Sequence, residues 1–206
     1  GGSVVLRFRP MRATLRLPRA ATYAECLAVE QHSDHRHELI DGVIVAMAGG
    51  SDEHNAIAGR LAMVLGVRLG GGCRFFTADQ RFWIAATARG RYADGSIICG
   101  KPEHPPHDGQ ATTNPRVVVE VLSPSSAGHD DGDKRLDLQS LATLEEYVLV
   151  AQDARHVLVY RRDEKGTWPV APQVHGVGES FALSAPVAVD DVYDGVLDPE
   201  RRSLLR

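Results

Sequence analysis

Apolar and polar positions along this chain recur with two periods, and the periods mark out its elements. In "SDEHNAIAGRLAMVLGVRL", Ile57, Leu61, Val64 or Leu65, and Leu69 recur at helical spacing, and Gly70-Gly71-Gly72 stops the run, so an amphipathic helix is predicted. "TYAECLAVEQ" predicts a shorter helix, with Thr22 as N-cap and Glu25 as its capping-box partner. "HELIDGVIVAM" is divided by Asp41-Gly42, a strong hairpin signal, into two strands. Strand-like stretches follow in "CRFFTADQRFWIA", "RYADGSIICG" and "RVVVEVLS", with a Pro- and Gly-rich surface loop, "KPEHPPHDGQATTN", between the last two. The loop "SPSSAGHDDGD" leads into a helix over "KRLDLQSLATL", and "EYVLVAQ" and "HVLVYRRD" then form a strand pair. After Gly166 the pattern weakens, which predicts a peripheral hairpin and tail. The order predicts a mixed α/β fold, a mixed sheet flanked by helices.

One position breaks the pattern. In "NPRVVVEVLSPSS" a buried-strand reading runs through Val117–Ser123 except at Glu120. Strand alternation puts Val118, Glu120 and Leu122 on one side. Burying an unpaired carboxylate costs far more than one strand returns, so something must neutralise it. The preceding stretch carries Asp94 in a similar apolar setting, and if the two are sheet neighbours these acids lie side by side. A hard divalent cation with oxygen ligands, Mg²⁺ or Mn²⁺, makes such a pair tolerable. The plainer alternative is a Glu120 facing solvent at a sheet edge, or paired with Arg116 or Arg91. Lys134 shifts the balance: with Leu138 and Leu141 it lies on one helical stripe, so it extends the core-facing side toward the loop end where the acids should be.

Composition narrows the classes. The 206 residues are 43% hydrophobic and 24% charged, as in a soluble globular domain, and no apolar run reaches the roughly 18 residues that span a bilayer, so no membrane partner is expected. The net charge of −4 does not advertise a nucleic-acid binder, although a cleft supplied with metal ions can sit on an acidic body. Cys26, Cys73 and Cys99 fit neither a disulfide framework nor a CxxC zinc pattern, which sets a reducing cytoplasm as the expected compartment. Gly1-Gly2-Ser3 reads as an expression scar, with Met11 nearer the native start.

"HELIDGVIVAM", the helix start at "HNAI", "RYADG", "VVVEVLSPSS" and "DKRLDL…EEYVLV", in that order over about residues 20–162, resemble the Uma2 family, restriction-endonuclease-type proteins of the PD-(D/E)XK nuclease superfamily. The resemblance implies a restriction-endonuclease-like fold, with residues 20–165 as the nuclease-like domain, 1–19 as an N-terminal extension and 166–206 as a hairpin and tail of the same domain. It implies a Mg²⁺-dependent endonuclease acting on nucleic acid, DNA above all. Asp94 falls on the first metal-binding acid, Glu120 on the second, and Glu38 on an upstream acid. The superfamily lysine position is Leu122 here, and the family's displaced lysine corresponds to Lys134 on the following helix. Relatives often carry Tyr-Pro-Asp-Val where this chain has Tyr92-Ala93-Asp94-Gly95; glycine in place of an apolar strand residue is expected to loosen the strand at the aspartate. Nucleases that cut both strands often pair subunits, so a homodimer is a further expectation.

His54, at the amphipathic helix start, reads either as a contact to substrate phosphate or as a cap or surface residue. Asp79, in "TADQRFWI", either faces the same cleft or ends a turn. "HSDHRH" over residues 32–37 has ligand-like histidine spacing, but a solvated loop is the simpler reading. Tyr147 is expected in the core with its hydroxyl satisfied. Ser123-Pro124-Ser125-Ser126 lacks nucleophile-elbow glycines, and "LGGGCR" follows a helix, so neither a serine hydrolase nor a phosphate loop is indicated. Two functions rival the endonuclease: a catalytically lapsed nuclease fold binding nucleic acid or protein, and a phosphoesterase acting on small substrates.

Overall fold

The computed structural model describes residues 14–15, 19–123, 127–198, 200 and 203–205. Most of residues 1–19, Gly1-Gly2-Ser3 and Met11 included, and Pro124–Ser126 lie outside the described residues. The chain forms two compact units, residues 1–49 and 50–206.

In the first unit, strand β1 (Thr14–Leu15) pairs antiparallel with β3 (Val43–Ala46), which pairs with β2 (His37–Ile40). The β2–β3 turn is Asp41-Gly42, both residues with positive φ, as the tight primed turn requires. Gly42 also lies where a Cβ would sit 2.5 Å from the Ala20 Cβ, so no larger residue fits. Helix α1 (Tyr23–Glu30) begins with the expected capping box: Thr22 accepts from the Glu25 N–H, and the Glu25 carboxylate accepts from the Thr22 N–H at 2.8 Å.

The second unit is built on a sheet whose described strands run in the order β11-β10-β9-β8-β7-β4. They are β4 (Cys73–Thr77), β7 (Gly95–Cys99), β8 (Val117–Leu122), β9 (Glu146–Ala151), β10 (Val157–Arg161) and β11 (Gln173–His175). β8 and β9 are parallel and the other neighbours antiparallel, so the sheet is mixed as expected. Helix α2 (Asp52–Arg68) packs on one face, where Ile57, Leu61, Val64 and Leu65 meet Val117, Val119, Val121, Val148 and Val150. On the other face Val118, Tyr147 and Leu149 meet Leu138 of helix α4 (Asp133–Gln139) and Leu141 and Leu144 just beyond it. With both faces covered, "VVVEVL" reads as a nearly continuous apolar run instead of an alternating one.

Two predicted strands break in the middle. "CRFFTADQRFWIA" divides at Ala78–Gln80 into β4 and β5 (Arg81–Ile84), and "RYADGSIICG" divides at Ala93-Asp94 into β6 (Arg89–Tyr92) and β7. β5 and β6 pair antiparallel outside this six-stranded sheet, and Phe82 and Ile84 pack with Val118 and Leu138. The helical reading of "KRLDLQSLATL" ends early, at Ser140, which donates its N–H to Leu136 O and Asp137 O; a four-residue helix α3 (Ala127–Asp130) precedes it in the expected loop.

The segment after Gly166 is less peripheral than its weak pattern suggests. The strands β12 (Ser180–Ala182) and β13 (Pro186–Ala188) and helix α5 (Val189–Tyr193) supply Phe181, Val187, Val189, Val192 and Tyr193 to the core beside α2. The Tyr193 hydroxyl lies 2.7 Å from both Ala151 O and His156 O, its single proton shared between the two carbonyls, an anchoring that local periodicity does not reveal.

The cysteine expectation is overturned. Cys73 and Cys99 form a disulfide across the register pair that closes one end of the β4–β7 ladder. Their separation of 26 residues hid a direct cross-strand pairing that only the sheet order creates.

Candidate active site

Glu120 and Asp94 converge as the sheet-neighbour reading expects. The β7–β8 register pairs Gly95 with Val119 and Ser96 with Val118, so one step further along the ladder sets Asp94 beside Glu120. Asp94 is not inside a strand: it occupies the break between β6 and β7, and its Oδ2 accepts the Val121 N–H at 2.7 Å. The carboxylate thus satisfies a backbone donor that the interrupted ladder leaves open.

Each acid meets a cation-forming side chain from a different helix. Lys134 Nζ lies 2.8 Å from Glu120 Oε1, with both side chains under one-tenth exposed. His54 Nε2 lies 3.1 Å from Asp94 Oδ2. His54 is held at the start of α2, where its N–H donates to the N-cap Ser51 hydroxyl and Gly50 packs against its ring. Asp130 stands on the other side of Lys134, its Oδ1 3.6 Å from Nζ, and the Tyr147 hydroxyl donates to the Asp130 carbonyl at 2.7 Å. Tyr147 is therefore a core residue with its hydroxyl satisfied, as expected.

The plainer explanations of Glu120 do not hold. It is 2% exposed, so it does not face solvent. Arg91 is committed to Asp137 and Arg116 to Glu145. Gly95 does not leave a loose strand end either: the Phe75 ring fills its side-chain space, with a Cβ at position 95 falling 2.3 Å from Phe75 Cζ, and the ladders to Thr77 and Val119 both reach it.

The electrostatics follow from burial. Burial pushes the Glu120 carboxyl well above its usual range; the Lys134 charge opposes this, and Asp130 and Asp94 reinforce it. Burial also opposes ionisation of Asp94, but the hydrogen bond and charge of His54, the Lys134 charge and the Val121 N–H outweigh it and hold Asp94 below its usual value. Burial lowers His54 in turn, and the hydrogen bond and charge of Asp94 outweigh it, so the imidazole is held above its ordinary value.

Two buried carboxylates, Glu120 and Asp130, and the half-buried Asp94 thus face one lysine and one imidazole, an environment short of positive charge. Among the described residues no three His, Cys, Asp or Glu side chains form a ready-made metal cage. Two adjacent carboxylates nevertheless suit Mg²⁺, which is commonly held by one or two carboxylates plus waters and substrate phosphate. Both hydrogen bonds to Asp94 fall on Oδ2, which leaves Oδ1 for such a ligand. The residues fit the ion.

The remaining candidates lie on other elements. Asp79 is exposed in the β4–β5 turn, two residues past Thr77, whose register partner is Gly95. Glu38 lies on β2 of the first unit, opposite Val45 and 4% exposed. In the histidine cluster, His32 Nδ1 lies 3.0 Å from Ala28 O and the His37 N–H donates to Glu30. Asp130 was not singled out in the sequence; its signal was its i, i+4 spacing to Lys134.

The model of the Uma2 family, described as "Putative restriction endonuclease", matches residues 21–188. The chain belongs to the Uma2 family. Two proteins of Synechocystis sp. are similar to it. The uncharacterized protein sll1609 is 32% identical over 148 residues, 71% of this chain and 84% of its own length. The uncharacterized protein slr1290 is 32% identical over 177 residues, 84% of this chain and 90% of its own. A crystal structure from Anabaena variabilis, described as a putative nuclease belonging to DUF820, superposes with a TM-score of 0.64 at 16% identity, covering 79% of this chain and 92% of that one. This Uma2 member therefore shares a mixed α/β fold with that protein. Among its described residues no helix is long and apolar enough to cross a membrane.

Proposed function

We propose that this Uma2 protein is a metal-dependent endonuclease that hydrolyses phosphodiester bonds in DNA. The observation that carries the reading is the convergence of Asp94, from the break before β7, Glu120 of the neighbouring strand β8, and Lys134 of α4. Asp94 and Glu120 would hold Mg²⁺ or Mn²⁺. The chemistry such an ion supplies is a bound water that loses its proton near neutral pH, and a counter-charge for the phosphate. Lys134 carries its charge on a flexible stem, and once Glu120 is engaged elsewhere the ammonium is placed to donate to the attacking water or to a phosphate oxygen. The Val121 N–H and His54 fix Asp94 by holding Oδ2. In this reading His54 reaches substrate through Asp94, Asp79 contributes from the rim, and Glu38 keeps the upstream-acid role that the family resemblance implies.

The test is nicking of supercoiled plasmid with Mg²⁺ or Mn²⁺. Asp94→Ala, Glu120→Ala and Lys134→Ala should each lower the rate on the order of 100-fold or more, as removal of one charge-stabilising group does. Calorimetric titration with Mn²⁺ should show binding that Asp94→Ala weakens. Metal binding without nicking would point to a lapsed enzyme, and nicking untouched by all three substitutions would refute the assignment.

A further inference from the structure

Lys134 sits near the start of a helix of seven residues whose N-cap, Gly132, supplies no side-chain hydrogen bond, so the helix does little by itself to fix the ammonium. One turn on, on the same stripe, is Asp137, 3% exposed at its side chain. Its carboxylate accepts from Arg91 Nε at 2.8 Å, from Arg89 Nη1 at 2.9 Å and from the Thr87 hydroxyl at 3.1 Å, and it makes a further short contact with Arg91 Nη2. Arg89 and Arg91 are on β6, and β6 ends two residues before Asp94. One strand therefore grips the lysine's helix and then delivers the aspartate.

We propose that Asp137, clamped by Arg89 and Arg91, is a positioning residue that sets Lys134 against Glu120 and fixes the distance between the lysine and Asp94. A buried charge-assisted network with so many donors on one carboxylate has one low-energy geometry, which suits it to setting register more than to adding net stability. The consequence for catalysis rests on the nuclease reading; the placement of Lys134 does not.

The experiment has two arms. The chain has three lysines, of which Lys101 and Lys165 are exposed while Lys134 is 6% exposed. Acetylation of the native protein, followed by mass spectrometry, should modify Lys134 slowest. Asp137→Asn, which keeps the side chain's shape, should raise the Lys134 rate about tenfold or more, as local release of a protected group does, and leave Lys101 and Lys165 unchanged. If near-UV circular dichroism shows that this variant does not fold, Arg89→Gln carries the test, since it removes one arginine and leaves Arg91 in place. Unchanged protection of Lys134 in the folded variant overturns the proposal. In the second arm, plasmid nicking is measured for Asp137→Asn, Lys134→Ala and the double variant. A positioning role predicts a lower kcat with little change in KM, and no further loss when Lys134 is already absent. Losses that multiply would make Asp137 a general structural residue and overturn the proposal. Absence of nicking in the wild-type protein would refute the nuclease reading alone, and the acetylation arm would still decide the clamp.

Discussion

A glutamate in the middle of "VVVEVL" is tolerated because its neighbours were chosen around it. Glu120 is paired with Lys134, Asp94 stands at the next ladder position, and the arginines that could have neutralised it are taken by Asp137 and Glu145. At the same scale Gly95 explains itself through Phe75, whose ring occupies the volume a side chain would need. Gly95→Val should therefore destabilise the protein by about 1–3 kcal/mol through overpacking, and adding Phe75→Leu should recover much of that loss. Urea denaturation of the single and double variants measures both numbers, and additive losses would contradict the packing account. Asp94, Glu120 and Lys134 were legible in the sequence because a charge in an apolar period is conspicuous. The His54–Asp94 bond and the Asp137 clamp were not, since their partners lie 40 and 46 residues apart.

At the scale of elements, local signals were most reliable where they are self-contained. The capping box of α1 and the Asp41-Gly42 turn formed as written because each closes its own hydrogen bonds within four residues. The α1 start also carries a pH signature. Hydrogen bonds from Arg19, then from the Thr22 backbone and hydroxyl, lower the Glu25 carboxyl from 4.5 to about 2. A carboxyl depressed in the folded state stabilises it above its unfolded value, and that contribution is lost as pH falls from 4.5 toward about 2. Glu25→Gln should accordingly flatten the decline in urea midpoint across that window; an identical decline in the variant would show that this acid does not contribute. Elements that depend on others were read less well. Two stretches predicted as single strands break because the β5–β6 hairpin pairs apart from the main sheet, and α4 stops at Ser140 because Leu141 and Leu144 turn into the core.

For the molecule as a whole, the Cys73–Cys99 link is the largest departure from expectation. It ties the β4 edge to β7 at the end of the ladder opposite Gly95, the neighbour of Asp94. Closing a loop of this length is worth about 2–4 kcal/mol, largely through the unfolded chain. The double substitution Cys73→Ser and Cys99→Ser should lower the unfolding free energy by that amount, and a reductant should lower it in the wild-type protein and leave the double variant unmoved. No difference between oxidised and reduced protein would mean that the link adds nothing. By itself the sequence determined the capped start of α1, the first hairpin, the mixed α/β class and the charged residues that an apolar setting singles out, because these follow from periodicity and hydrogen bonds among near neighbours. Only the tertiary structure decided that Asp94 sits at a strand break, that a disulfide joins two distant cysteines, that the C-terminal segment fills the core and that two helices bring His54 and Lys134 to one pair of acids. Those outcomes depend on strand order and register, which are set by packing between segments far apart in the chain.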